Sequence, residues 1–499
     1  MQTAWDIASY WNSDQFAPAT WDLGSTLIGL GLCAREAIPL AFAGFLAVGI
    51  VLSLNGRIGS TLHTAFPVCA RASFGMYGAY APILVRSILA LLWLVILTYQ
   101  GGLVTAVMIG AIWPSFLKVK NTLPEGLGID TQEMIGFFVL FVFQAPLACI
   151  PVHKLKWFFS VKAYITSAGF LALFIWSLTV TKGKGDILQG SFVEADLPRG
   201  SKVWACLAGL NAVTGLYSTV SINIPDFARF AKKPKSSWMQ ALAVPITGTI
   251  PIAIAIMCGQ AAQTKYGVAV YDPASLCKLF GSRAAQFFSA FVFWVATIGV
   301  NISANQISFA TDISSLMPRY LTIFRCSILA SLLCWATCPW RLVVSAPTFY
   351  NFLSAYPVFL APVATILATD YYLIRSGKID VRELYNPSGI YSYTFGINWR
   401  AFAAWICALA PNLPSFAHAI NAANPNPQPY TYFFSWYFST FASFIFYMTF
   451  SKLFPPRASF VDEAVTELSS VTEHEVDYSS HGASSTEPEK DPDYKTTVV

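Results

Sequence analysis

An all-α membrane protein with twelve transmembrane helices is what this chain of 499 residues predicts, and three observations carry the prediction. The composition is 55% hydrophobic and only 11% charged, less than half of the roughly 25% charge usual in soluble domains. Apolar runs of about 20 residues, the length a helix needs to cross a bilayer, recur along the whole sequence. Fifteen Trp and twenty-two Tyr suit a chain that meets the membrane–water interface many times.

Taken in order, the predicted spans are 7–32, 38–54, 81–112, 133–151, 157–180, 203–224, 239–262, 285–311, 323–339, 343–374, 399–420 and 430–451. An even number places both termini on one side. With that side cytoplasmic, the inner loops collect Arg57, Arg71, Lys154, Arg229, Lys232, Lys233, Arg375 and Lys378, whereas the outer loops carry fewer bases, among them Lys118, Lys120 and Lys265. Cytoplasmic termini follow from that bias. No cleavable signal peptide is visible, so either an amino-terminal cytoplasmic tail is lacking or Met1 is internal to a longer product.

Two spans are interrupted. The first carries Asp14, Gln15, Pro18, Asp22 and Gly24, and the sixth reads GLYSTVSINIPDF from Gly215 to Phe227. Helix breakers at matching places five spans apart suggest two repeats of five helices, about 5–180 and 203–374, followed by the last two spans at about 399–451. Broken helices free backbone groups at mid-membrane depth, where they can hold an ion or polar solute; ordinary proline and glycine kinks are the plainer reading.

The predicted transporter body is 1–454, and 455–499 is an acidic, disordered cytoplasmic tail rich in Ser, Thr, Glu and Asp. From Pro456 onward ten acids face three bases, so the net charge of +5 leaves the rest of the chain at +12. The tail lysines Lys490 and Lys495 are acceptors for the ubiquitin machinery. The ten cysteines form no CxxC pair or metal-ligand spacing, which makes buried free thiols the expectation, with no metal and no cofactor. The basic excess lies in short loops and carries no nucleic-acid signature.

The span Ala285 to Asp312 turns polar halfway along. Asn301, Asn305, Ser308 and Asp312 stand at offsets of four, seven and eleven from the first, one face of a helix. Polar groups at that depth are costly unless they face protein, water or ligand. The face is read as one wall of a substrate and ion pathway, or else as polar links between helices.

Five stretches then bring a resemblance into view: LNGRIGSTLHTAFPVCARASFG from Leu54, LALLWLVILTYQGG around Trp93, SINIPDFARF in the sixth span, NISAN in the eighth, and DYYLIRSGKIDVRELYNPSGIYSYTFGINW from Asp370. Together they resemble the nucleobase cation symport family one, in its fungal uracil, allantoin, uridine and thiamine permease branch, over about residues 5–450. The resemblance implies the five-plus-five inverted-repeat (LeuT-like) fold with two additional helices. It implies a secondary active symporter of the plasma membrane that imports a planar heterocycle (a nucleobase, allantoin or a related compound, a nucleoside or a vitamin) with a cation. Helices one, two, six and seven would rock against three, four, eight and nine, while helix ten, with Leu353 and Tyr356, gates the site.

Residue by residue, the resemblance places Trp93 at the stacking aromatic of the third span, Tyr217 at its partner in the sixth, and Asn305 at the amide that bonds substrate. Asp312 falls at an acidic position required in the fungal branch, or else pairs at the helix end with Arg319 or Arg325. Arg86 shares the Trp93 face and either pairs with a carboxylate or stabilises a substrate anion. Departures are equally specific. Leu97 stands where many members carry Gln, and Ala17 where a polar contact is expected in the first span, so Gln100 or Gln306 takes over or the substrate is not a simple uracil-like ring. At the cation site, sodium-coupled relatives place hydroxyls where this chain has Gly299 and Val300; Ala296, Ser13 and Phe16 remain as carbonyl ligands. Sodium wants about five or six oxygens, so a proton carried by Asp312 or Asp14 is the expectation. A transporter-like nutrient sensor, which binds without transport, is the alternative. No paired acid and base supports an enzyme.

Overall fold

The computed structural model describes residues 3–182, 197–341, 346–420 and 429–466, and its first break follows directly from the sequence. Pro18 pushes the preceding residue out of the helical region, and Ala17 is extended at φ −144°, ψ 161°. The first span is therefore two helices, α1 (Ala4–Gln15) and α2 (Pro18–Gly29), the second starting on the proline that needs no N–H donor there. α3 (Ala34–Leu62) continues through the LNGRIG stretch, beyond the predicted end at 54, and α4 (Phe66–Phe74) follows it. Then come α5 (Tyr80–Ile112), α6 (Thr131–Ala148) and α7 (Lys156–Thr181).

The sixth span divides as well, into α8 (Lys202–Leu216) and α9 (Ser218–Ala228). Of the helix breakers in that stretch, Gly215 stands beside the break, whereas Pro225 lies inside α9. The reason is a side chain far away in sequence. Pro225 has no N–H for the Ser221 carbonyl, and Asn55 on α3 donates to that carbonyl at 2.8 Å and to Ala364 O at 3.1 Å. The break at Tyr217 is held from outside too, by the Tyr356 hydroxyl donating to Gly215 O and by the Leu353 backbone pressed against Gly215. Asn55→Leu should therefore strip a buried carbonyl of its donor and lower stability by about 1–3 kcal/mol, read as a lower melting temperature of the detergent-purified protein.

The remaining helices are α10 (Met239–Tyr266), α11 (Pro273–Leu279), α12 (Arg283–Val300), α13 (Ile307–Leu316), α14 (Ile323–Ala336), α15 (Ala346–Ala355), α16 (Pro357–Thr369), α17 (Trp399–Leu409), α18 (Leu413–Ile420) and α19 (Ser435–Leu453). A π-helical turn, Asn301–Gln306, joins α12 to α13. Helix thus falls within each of the twelve predicted stretches, and eight helical stretches among the described residues are long and apolar enough to cross a membrane. The first, ninth, eleventh and twelfth stretches hold shorter or less apolar helices. Apart from helices and turns, the described residues contain two isolated β-bridges. The ten cysteines are free thiols.

α3 packs on α9 and α10, α5 on α6 and α12, and α19 on α16 and α17. The α5–α6 contact is backbone to backbone. A Cβ at Gly136 would collide with the Gly102 carbonyl, and one at Gly102 would lie 2.7 Å from Phe137 Cα. One end of the bundle is tied by a buried ion pair, Arg375 to Asp370 at 2.8 Å. Asp370 also accepts from Ser73 Oγ (3.0 Å) and Tyr447 Oη (2.8 Å), and Arg375 donates to Ser459 O at 2.6 Å. Residues 455–466, assigned to the tail by composition, are thus drawn onto the body, with Val465 bonded to the backbone of Val381 and Ile379 at 3.0 Å. The rest of that predicted tail lies outside the described residues.

Candidate functional site

The two helix breaks and the π turn surround one cavity. It is lined by Asp14, Ala17 and Thr20 from the first span, Trp93 and Leu97 from α5, Tyr217 and Thr219 from the sixth span, and Val300, Ala304 and Asn305 from the eighth. Trp93, Tyr217 and Asn305, far apart in sequence, therefore meet at one place. Tyr217 packs edge-on against Trp11, with ring centroids 5.2 Å apart, and its hydroxyl pairs with Thr20. The other edge of the Trp93 environment is α15 and its junction with α16, with Phe352 at 5.2 Å and Tyr356 at 6.2 Å, both T-shaped. Tyr356, expected to gate, thus touches both the indole and the sixth-span break; Leu353 is fully buried and contributes backbone instead of a cavity wall.

The substitutes expected for the missing glutamine lie elsewhere. Gln100 donates its amide to the buried Asp22, and Gln306 turns to α14, donating to Ser327 O at 2.9 Å and Ser331 Oγ at 3.1 Å. Leu97 and Ala17 themselves line the cavity, which makes that wall apolar.

The polar face of the eighth span also divides. A π turn inserts extra rotation, so Asn305 lines the cavity while Asn301 turns to α5 and α6, donating to Thr98 Oγ1 (3.1 Å) and Gln144 Oε1 (3.0 Å). Farther along, Asp312 is ion-paired with Arg86 and both are buried. Arg86 also donates to Ser308 O at 2.7 Å. The Asn223 amide, oriented with its oxygen toward the cation, accepts from Arg86 at 2.9 Å and from the Ser308 hydroxyl at 2.7 Å. Arg319 and Arg325 do not reach Asp312: Arg319 lies over the Tyr320 ring, and Arg325 caps the Tyr320 carbonyl at 2.8 Å.

Around the predicted cation ligands, Ser13, Phe16 and Ala296 are buried, and Asp14 and Val300 face the cavity. Gly299 is not among the residues that line the cavity. Its missing side chain is replaced by Lys162 of α7, whose Cδ would collide with a Cβ at 299. Lys162 is buried and interacts electrostatically with Asp14. Sequence reasoning passed over this residue, although a lysine well inside the apolar span that opens at 157 is itself a signal.

An all-helical membrane protein whose broken helices converge on a cavity between an indole, a phenol and a carboxamide is a membrane transporter in class. Residues 1–437 match the family described as permease for cytosine/purines, uracil, thiamine and allantoin, and the chain belongs to that family. It is 33% identical to an uncharacterized permease of Schizosaccharomyces pombe, over 93% of this chain and 80% of that one. It is also 33% identical to the uracil permease of Saccharomyces cerevisiae (83% of this chain, 67% of that one) and 32% identical to the allantoin permease of the same yeast (92% and 74%). Among solved structures it superposes on Mhp1, a nucleobase-cation-symport-1 family transporter, in a closed conformation with bromovinylhydantoin bound. The TM-score is 0.70 at 20% identity, over 90% of this chain and 93% of that one. The inward-facing conformation of Mhp1 gives 0.69 at 20% identity, covering 92% of each chain. The shared architecture is therefore that of Mhp1, and the relatives are permeases rather than enzymes.

Proposed function

We propose that this chain is a proton-coupled symporter of the plasma membrane that imports a planar heterocycle by alternating access. Its twelve spans comprise two inverted repeats of five and two further helices, with both termini cytoplasmic. The observation that carries the reading is the cavity that gathers Trp93, Tyr217 and Asn305 where two broken spans meet. An aromatic ring contact adds about 0.5–1.5 kcal/mol beyond burial, and an amide supplies both a donor and an acceptor to a ring edge. Relatives named for uracil and allantoin support the same solute class. The apolar wall at Leu97 and Ala17 leaves Asn305 as the main polar tether, which favours a ring with one hydrogen-bonding edge over one that needs bonds all round.

For the cation, Lys162 supports a proton. Its methylenes occupy the room that a side chain at 299 would take, and it interacts electrostatically with Asp14, which lines the cavity beside the break in the first span. A buried lysine and carboxylate so placed can exchange a proton, and such coupling needs no bound sodium ion. Asp312, already tied to Arg86, is a structural member of the pathway, and Asp14 with Lys162 is the coupling pair.

Uptake of labelled uracil, allantoin, hydantoin, uridine and thiamine by transporter-deficient cells expressing this chain tests the reading, with unlabelled compounds as competitors. Trp93→Ala and Asn305→Ala should each lower uptake at least tenfold at unchanged surface level. Normal uptake by either variant would overturn the site, and binding without accumulation would make the protein a sensor.

A further inference from the structure

The amides behind the cavity form a chain whose direction can be counted. Thr98 on α5 gives its one hydroxyl proton to the Leu94 carbonyl at 2.6 Å, so its oxygen can only accept from other groups. It accepts from Gln144 Nε2 at 3.0 Å and from Asn301 Nδ2 at 3.1 Å. Gln144 has therefore turned its amino group to Thr98, which leaves Oε1 for Asn301, and Asn301 Nδ2 donates there at 3.0 Å. Both amino protons of Asn301 are then used. Its Oδ1 is the only atom it can offer onward, and Asn305 Nδ2 donates to it at 2.9 Å. All four side chains are buried, from 0% exposed for Thr98 and Asn301 to 7% for Asn305. Reversing any amide would set lone pair against lone pair among buried groups, where the cost is high.

We propose that Thr98, Gln144 and Asn301 are positioning residues that lock the Asn305 amide in one orientation, so that its oxygen is the atom presented to the cavity and the transporter selects rings bearing a free N–H. The relay starts from a main-chain carbonyl, which cannot reverse. It therefore fixes the polarity of the last amide, with Oδ1 and one remaining N–H left to meet an adjacent ring N–H and C=O. A ring whose N–H is methylated brings no donor to that oxygen. This inference rests on the proposed substrate site and adds what decides between closely similar rings.

The test uses intact cells expressing the full chain and three competitor pairs: uracil, hydantoin and allantoin, each beside its derivatives N-methylated at one ring nitrogen. Wild type should prefer a free N–H ring over at least one methylated form tenfold or more. Thr98→Val and Gln144→Met should each reduce that preference at least threefold, through weaker binding of the free N–H ring, while Thr98→Ser retains it. A role in packing alone would lower transport capacity and leave the ratio between competitors unchanged. Wild-type preference that survives in both Thr98→Val and Gln144→Met overturns the relay and leaves the site standing. Wild type indifferent to every ring in the panel overturns the site reading, and the relay with it.

Discussion

Lys162→Met should abolish concentrative uptake while leaving the protein able to bind its solute. The side chain is buried within α7, and its charge is answered by Asp14 at the edge of the cavity. One pH unit across the membrane stores about 1.4 kcal/mol, enough for about tenfold accumulation at one proton per solute, and a membrane potential adds about 2.3 kcal/mol per 100 mV. Without the Lys162 cation that interacts with Asp14, the coupling pair proposed beside the break at Ala17 is lost. Accumulation should fall at least tenfold toward simple equilibration, and an uncoupler that collapses wild-type uptake should have no further effect. Gly299→Ser alone should also fail, because any Cβ at 299 runs into the Lys162 stem. Combining it with Lys162→Ala removes the clash and places a hydroxyl at 299. Undiminished uncoupler-sensitive accumulation by Lys162→Met, or wild-type uptake that follows sodium and ignores the uncoupler, would refute proton coupling through this residue.

What the sequence could and could not disclose follows from the range of the forces involved. The break at Ala17 was readable because its cause is local: a proline constrains the residue before it. The break at Tyr217 fell in the expected window, beside Gly215, but which of the window's breakers would act was not readable, since Pro225 is accommodated by Asn55, 170 positions earlier, a partner no local pattern can name. Helical spacing put Asn301, Asn305, Ser308 and Asp312 on one face, but the π turn at 301–306 sends Asn301 to the scaffold and Asn305 to the cavity. Nothing in NISANQ marks such a turn; it is held by the amides and hydroxyl of α5 and α6. Gln100 was a reasonable candidate by its offset of seven from Trp93, yet a helix face spans several neighbours, and the neighbour here is Asp22. Trp93, Tyr217 and Asn305 came from the resemblance, and their convergence on one cavity is a property of the packing.

Asp312→Ala should be the most damaging single change to the folded protein, costing about 3–5 kcal/mol, because it removes the carboxylate ion-paired with the buried Arg86 guanidinium. The remaining hydrogen-bonded partners of that guanidinium, Ser308 O and the Asn223 amide, are neutral, and the buried Asp226, which acts on Arg86 electrostatically, is not ion-paired with it. Removing both charges, as in Arg86→Met with Asp312→Leu, should restore most of the loss, since an ion pair in so dry a place has little net worth over apolar packing. Transport should not return with stability. Arg86 stands on α5, Asp312 on α13 and Asn223 on α9, so under the proposed alternating access the cluster would bridge parts that separate, and a neutral plug in its place has no charge pair to break and remake. Thermal unfolding of the purified variants, read beside uptake, separates this from a proton-carrier role. A carrier would let Asp312→Asn fold normally and lose only its response to the proton gradient, whereas a structural ion pair makes Asp312→Asn unstable and its instability reversible by Arg86→Met. Asp312→Ala that melts and transports like wild type would contradict both.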